Sequence, residues 1–309
     1  MQYDAGIAQS ILINGTATTT QDSPAATAVS RSILSILANK YKLETVEPVI
    51  TTLEQQLSTA ISNLTTPSEQ VSASHQIISI LAVTAGLFRR HSGKNTQGLM
   101  KLIRTLPSSG LPLARKLEVI AAPQKFLTKE TFATVKPLWV QKIYFELVKP
   151  LLDAATTGDE KTNYGVAALV LVKHMDFTIY EDDVEKILRV AISTAQNLGP
   201  GPDTLAALNV LRVILTEASE KAEGHIRSLI GICTTNISGQ STSAGADVVA
   251  QCGKLALDIL GGLPKLFESR HLLSYAAQVD RQLSVACGHR VRDVRSSARK
   301  ARGAWAEVK

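Results

Sequence analysis

The chain has 309 residues, 45% apolar but only 5% aromatic, and carries a formal net charge of +6. Such a length exceeds one ordinary core and asks for two or three domains or one extended array. The aliphatic bias suits packed helices better than an aromatic-rich sheet enzyme, and the longest apolar run, Ile77 to Phe88, falls short of the roughly 18 residues of a membrane span.

The opening MQYDAGIAQS has no basic segment followed by an apolar one, so no signal peptide is expected. The Asn14, Asn63 and Asn236 sequons then read as chance, and a cytoplasmic and nuclear protein is expected. The stretch Ala5 to Ile13 is apolar where the outer face of a first repeat should be polar, which suggests an array continuing upstream. Asn14 to Ala28 and Ile237 to Asp247 read as the least structured segments. Between them run segments with an aliphatic 3-4 rhythm: SRSILSILANKY from Ser30, SHQIISILAVTAGL from Ser74 and ARKLEVIAAP from Ala114. VAALVLVKHM from Val166, LAALNVLRVIL from Leu205, VAQCGKLALDIL from Val249 and VRSSARKARGAW from Val294 continue the series. Partner helices fill the gaps, among them VQKIYFELVKPLLDAA, YEDDVEKILRVAISTAQ and HLLSYAAQVDRQLSVACG. Gly, Pro, Asn and Asp in TTPSEQ, HSGKNTQG, TTGDEKTN and LGPGPD mark helix ends.

The starts of the first set are 44, 40, 52, 39, 44 and 45 residues apart. A recurrence of about 40–47 residues with two helices per unit is the HEAT or armadillo signature. The expected fold is therefore all-α, a HEAT-repeat solenoid or α-α superhelix of about seven helix pairs. No segment alternates well enough for a strand, and no internal linker divides residues 1–309, so a single array is expected.

Charge is concentrated at one end. Residues 281–309 hold eight Lys or Arg against two acidic residues, which accounts for the whole net charge of +6. In the last pair, Leu272, Ala276, Val279, Leu283 and Ala286 share a face of the first helix, and Val291, Val294, Ala298, Ala301, Trp305 and Val308 form the seam of the second. Val294, Ala298, Ala301 and Trp305 are structural in this reading, Trp305 as a core anchor. One residue past the seam positions lie Arg292, Arg295, Arg299, Arg302 and Lys309, a basic ladder beside the buried stripe. Three readings compete for it: a solvated face whose stems cover apolar surface, a docking surface for acidic protein groups, and a phosphate-backbone contact. The last is disfavoured because no exposed aromatics interleave with the arginines.

Catalytic and metal chemistry finds little support. Cys233, Cys252 and Cys287 lie 19 and 35 residues apart, a spacing unlike the close thiolates of zinc or iron–sulfur sites. The six histidines include no H-x-x-x-H pair, and Cys287 with His289 offers two ligands without a third. Ser297 opens an S-x-x-K match on the basic helix without companion motifs. Glu181, Asp182, Asp183 and Glu185 form an acidic run suited to a helix start, or to a basic partner. No catalytic residue, metal site or cofactor is assigned, and an enzyme is not expected.

The ending VRSSARKARGAW after LLSYAAQVDRQL resembles the C-terminus of the MMS-nineteen family, through Val294, Arg295, Ala298, Ala301, Arg302, Gly303 and Trp305, with Leu273, Tyr275, Gln278 and Val279 before them. NYGVAALVLVKHM also resembles that family. The turn CGHRVRD departs from the Asp- and Lys-rich turn of its members. The resemblance implies the C-terminal part of a longer HEAT-repeat adaptor of cytosolic iron–sulfur protein assembly, without a cluster or catalysis of its own. It implies partners too: a WD-repeat propeller, a small subunit with a reactive cysteine, and client apo-enzymes of DNA repair, replication and transcription. A transport-receptor or phosphatase scaffold of HEAT type, and a nucleic-acid-binding array, are the alternatives.

Overall fold

The structure is a computed structural model describing residues 2–3, 42–43, 47–65, 70–90, 97–122, 137–157, 159–238 and 245–308. The stretches Ala5 to Ile13 and Asn14 to Ala28, the expected helix from Ser30, most of Ile237 to Asp247 and Lys309 lie outside these residues. Two compact units divide the chain, residues 1–153 and 154–309. The fold is an all-α helical repeat.

In the first unit α1 (Glu47–Asn63) packs on α2 (Gln70–Arg90) and on α3 (Gln97–Thr105). A 3-10 turn at Leu106–Ser109 leads through Gly110, whose φ of 116° suits a residue without a Cβ, into α4 (Leu111–Lys116) and α5 (Glu118–Ala121). Apolar residues at helical spacing supply the core: Leu53, Leu57 and Ala60 of α1 and Ile77, Ile80 and Leu81 of α2 are all buried. The next helix is interrupted: α6 (Pro137–Ile143) and α7 (Lys149–Thr157) flank a π turn over Tyr144–Val148. A π turn shifts the carbonyl ladder, and here the Arg104 Nε of α3 donates to the Glu146 carbonyl at 2.7 Å.

The only strand pairing among the described residues is a parallel bridge of Gln2–Tyr3 with Lys42–Leu43. No strand was expected. A bridge two residues long has no alternation to display, so nothing in the sequence could announce it.

The second unit is the clearer repeat. It runs α8 (Lys161–Val172), α9 (Val184–Asn197), α10 (Pro202–Glu217), α11 (Ile226–Ser238), α12 (Ala246–Leu266), α13 (Ser269–Ala286) and α14 (Arg292–Trp305). Successive helices pair as α9 with α10, α11 with α12 and α13 with α14. Alternate helices also touch: α8, α10, α12 and α14 make one layer, α9, α11 and α13 the other. Each pair is too thin to bury its own stripe, and the neighbouring pair completes its core. α8 carries the unbroken apolar run GVAALVLV, and Gly165 to Val172 are buried all round. A Cβ on Gly165 would stand 2.7 Å from Thr194 Oγ1, so glycine sets how closely α8 approaches α9. α10 begins with Pro202 in its first turn, where the missing N–H is no loss, and buried Thr204 donates to the Gly199 carbonyl at 2.8 Å.

Candidate partner-docking surface

The terminal pair is held by a seam of small residues and one tryptophan. Val294, Ala298, Ala301, Trp305 and Val308 are buried, as are Leu272, Val279, Leu283 and Ala286 of α13, while Ala276 is half-exposed. The seam of α14 lies against α12, where Gly261 would place a Cβ only 3.0 Å from the Ala301 Cα. Close approach here needs glycine on one side and alanine on the other.

Trp305 Nε1 donates to the Leu260 carbonyl at 2.7 Å, inside the core. The reason that carbonyl is open lies four residues on. Pro264 sits within α12 and has no N–H to return to Leu260. A buried carbonyl without a donor is costly, and the indole N–H of the next repeat supplies one.

With the seam turned inward, the expected basic ladder separates into two rails. Arg292 and Arg299, two turns or about 10 Å apart on one helix face, are exposed and have no partner among the described residues. Exposed Ser296 and Gly303 share that outward face, opposite the seam. Arg295 is half-buried and turns back on the loop, its Nη1 donating to the carbonyls of His289 at 2.7 Å and Arg290 at 2.8 Å. The Val291 N–H donates to His289 Nδ1 in the same turn. Arg302 donates from Nε to Asp280 Oδ1 of α13 at 3.0 Å, an ion pair with both partners about half exposed. Arg295 and Arg302 thus bind α14 to its own repeat, and Arg292 and Arg299 are left to meet anything outside. Asp293, in the first turn of α14, lies 3.8 Å from Lys254 of α12.

The other candidates resolve as packing. Ser297 is buried in the seam, not presented beside Lys300 as an S-x-x-K nucleophile would be. Glu181 to Asp183 form a 3-10 turn ahead of α9, and Glu185 pairs with Arg189 and Lys221, each at 3.8 Å. These residues line an open groove of about 670 Å³ of mixed charge, in which Glu185 already has its two cations and Lys186 stands beside the acidic turn. All three cysteines are free. Burial pushes the Cys233 thiol up to about 12 and raises that of Cys252, which donates to the Gly201 carbonyl at 3.3 Å. Neither is a ready thiolate ligand or nucleophile. Among the described residues no three His, Cys, Asp or Glu side chains are grouped to hold a metal, and no helix is long and apolar enough to cross a membrane. Asn236 of the third sequon is buried, its Nδ2 donating to the Ile232 carbonyl at 2.9 Å, so the folded protein cannot present it to a glycosyl donor.

The Leu260 acceptor, the Arg295 staple and the Asp280 partner escape sequence reasoning. Only the first leaves a trace there, a proline four residues after a leucine in a helical pattern. A family model described as RNAPII transcription regulator C-terminal matches residues 6–260. The match ends before α13 and α14. No curated protein matches the chain.

Proposed function

Because the chain belongs to this MMS19 C-terminal family, which its model matches over residues 6–260, we propose that it is a non-catalytic adaptor working within iron–sulfur protein assembly. It holds a WD-repeat propeller and a small reactive-cysteine subunit of the targeting complex, and it presents apo iron–sulfur enzymes of DNA metabolism to them, in cytoplasm and nucleus. The mechanism is geometry and effective concentration: a mostly pre-formed helical surface keeps donor and recipient together without new chemistry. The observation that carries the docking part is the outward rail of α14. Two guanidiniums, two turns apart and without partners among the described residues, suit carboxylates on an acidic partner.

Affinity purification of the chain from cells, with Arg292→Glu and Arg299→Glu introduced together, tests this reading. The parent should co-elute iron–sulfur assembly proteins, and the double variant should lose them while keeping its helicity. Recovery of transport GTPases or phosphatase subunits would favour another HEAT scaffold. Equal capture by both proteins would reduce the rail to a solvated face. A nucleic-acid array predicts binding to duplex or single strands that falls steeply with salt. That reading has only the arginines in its favour.

A further inference from the structure

The first unit contains a cavity of about 290 Å³ bounded by Leu64 after α1, the first turns of α2, the 3-10 turn and α4. Its walls are of two kinds. One is uncharged: Leu64, Val71, Pro112 and Leu113 are apolar, with Val71 65% exposed at the mouth, and Gln70, Ser74 and Ser109 are neutral and polar. Against them stands the ammonium of Lys116, half-buried, with the Ser74 carbonyl as acceptor at a long 3.3 Å. Among the described residues no carboxylate lines the cavity and none pairs with Lys116. Burial lowers its pKa, the direction expected of a cation partly withdrawn from water.

We propose that this cavity docks an acidic side chain of a partner protein segment, with Lys116 receiving the carboxylate and the apolar walls receiving an aliphatic neighbour of that acid. The charge argument is direct: a partly desolvated ammonium with no anion among the described residues carries a cost, and an incoming carboxylate relieves it. The apolar walls favour an acid with hydrocarbon beside it over a fully hydrated phosphate. The open mouth at Val71 leaves room for the rest of the ligand to continue into solvent, as a peptide backbone does. A nucleic acid is a poor fit, since one cation and no aromatic ring line the cavity. This goes beyond the adaptor reading and does not involve α14.

The test uses the full chain with its lysines reductively methylated with ¹³C, followed by NMR while a capped Leu-Glu-Leu tripeptide is added. The tripeptide should shift the Lys116 methyl resonance saturably and raise its titration midpoint toward that of ordinary lysines. The Leu-Gln-Leu counterpart should bind about tenfold more weakly, the loss expected for one charge-assisted hydrogen bond. Lys116→Met should weaken the Glu peptide to the same degree, read on backbone amides around the cavity. Val71→Asp, an exposed change that does not threaten folding, sets a carboxylate at the mouth and should also weaken it. No saturable shift at Lys116, equal binding of the Gln peptide, or binding indifferent to both variants would overturn the proposal. Protein capture by α14 is measured separately, and either result can fail without the other.

Discussion

The indole of Trp305 does two jobs at one point, filling the seam and completing a hydrogen bond that Pro264 leaves open on Leu260. The two can be separated. Trp305→Ala removes both and should destabilise the terminal pair by about 3–5 kcal/mol. Trp305→Phe keeps most of the volume but orphans the carbonyl, at a cost of about 1–3 kcal/mol. Pro264→Ala returns an N–H to α12, so in that background the Phe substitution should cost about 1 kcal/mol less. A double-mutant cycle in urea measures the coupling, and strict additivity would show that the proline and the tryptophan are unrelated. The cysteines make a second residue-scale case. Cys233 and Cys252 are buried with raised pKa values, whereas Cys287 is half-exposed. Native iodoacetamide labelling read by mass spectrometry should modify Cys287 first and reach the other two only on unfolding.

At the scale of elements, the approach of α14 to α12 depends on Gly261. Its missing side chain would meet the Ala301 backbone, which cannot move aside as a flexible side chain could. Gly261→Ala gains helix propensity of about 1 kcal/mol but must push the helices apart, an overpacking cost of about 1–3 kcal/mol. The expected outcome is a lower denaturation midpoint, checked by circular dichroism during urea titration; a raised midpoint would mean that the helices separate freely. Arg295 and Arg302 show how a uniform pattern can hide unequal roles. Arg295→Ala uncovers two carbonyls of the α13–α14 turn and should cost about 1–2 kcal/mol. Arg302→Ala removes only an exposed pair with Asp280 and should cost less than about 1 kcal/mol.

Over the whole molecule, pH links these local facts to stability. Unfolded Cys233 gives up its proton near its ordinary 9.0, but the folded thiol keeps it to about 12. Tyr180, pushed up to about 12 from 10.0 by burial and by the nearby carboxylates of Glu217 and Asp176, behaves alike. Across that window the native state binds more protons than the unfolded one, so stability should fall as pH rises above about 9. Urea midpoints between pH 8 and 11 check this, and the fall should lessen in Cys233→Ala.

The repeat was legible because every pair must present an aliphatic stripe to its neighbour, and that demand writes a 3.6-residue rhythm recurring near every 44 residues. Helix identity and the buried face of α14 followed from those local rules, and so did the inward place of Trp305. The fate of each arginine did not. All four described members of the ladder look alike in one dimension, and their roles depend on which acceptors neighbouring segments bring within about 3 Å. The carbonyls of the His289–Arg290 turn claim Arg295, Asp280 claims Arg302, and Arg292 and Arg299 are left outward. Lys116 is the same lesson reversed: its charge is ordinary in sequence, and only packing among α1, α2 and α4 withdraws it from water. Sequence alone thus determined which faces are buried, since burial follows periodicity along one chain. Tertiary structure decided which charges remain free, since that depends on partners that meet only when the helices pack.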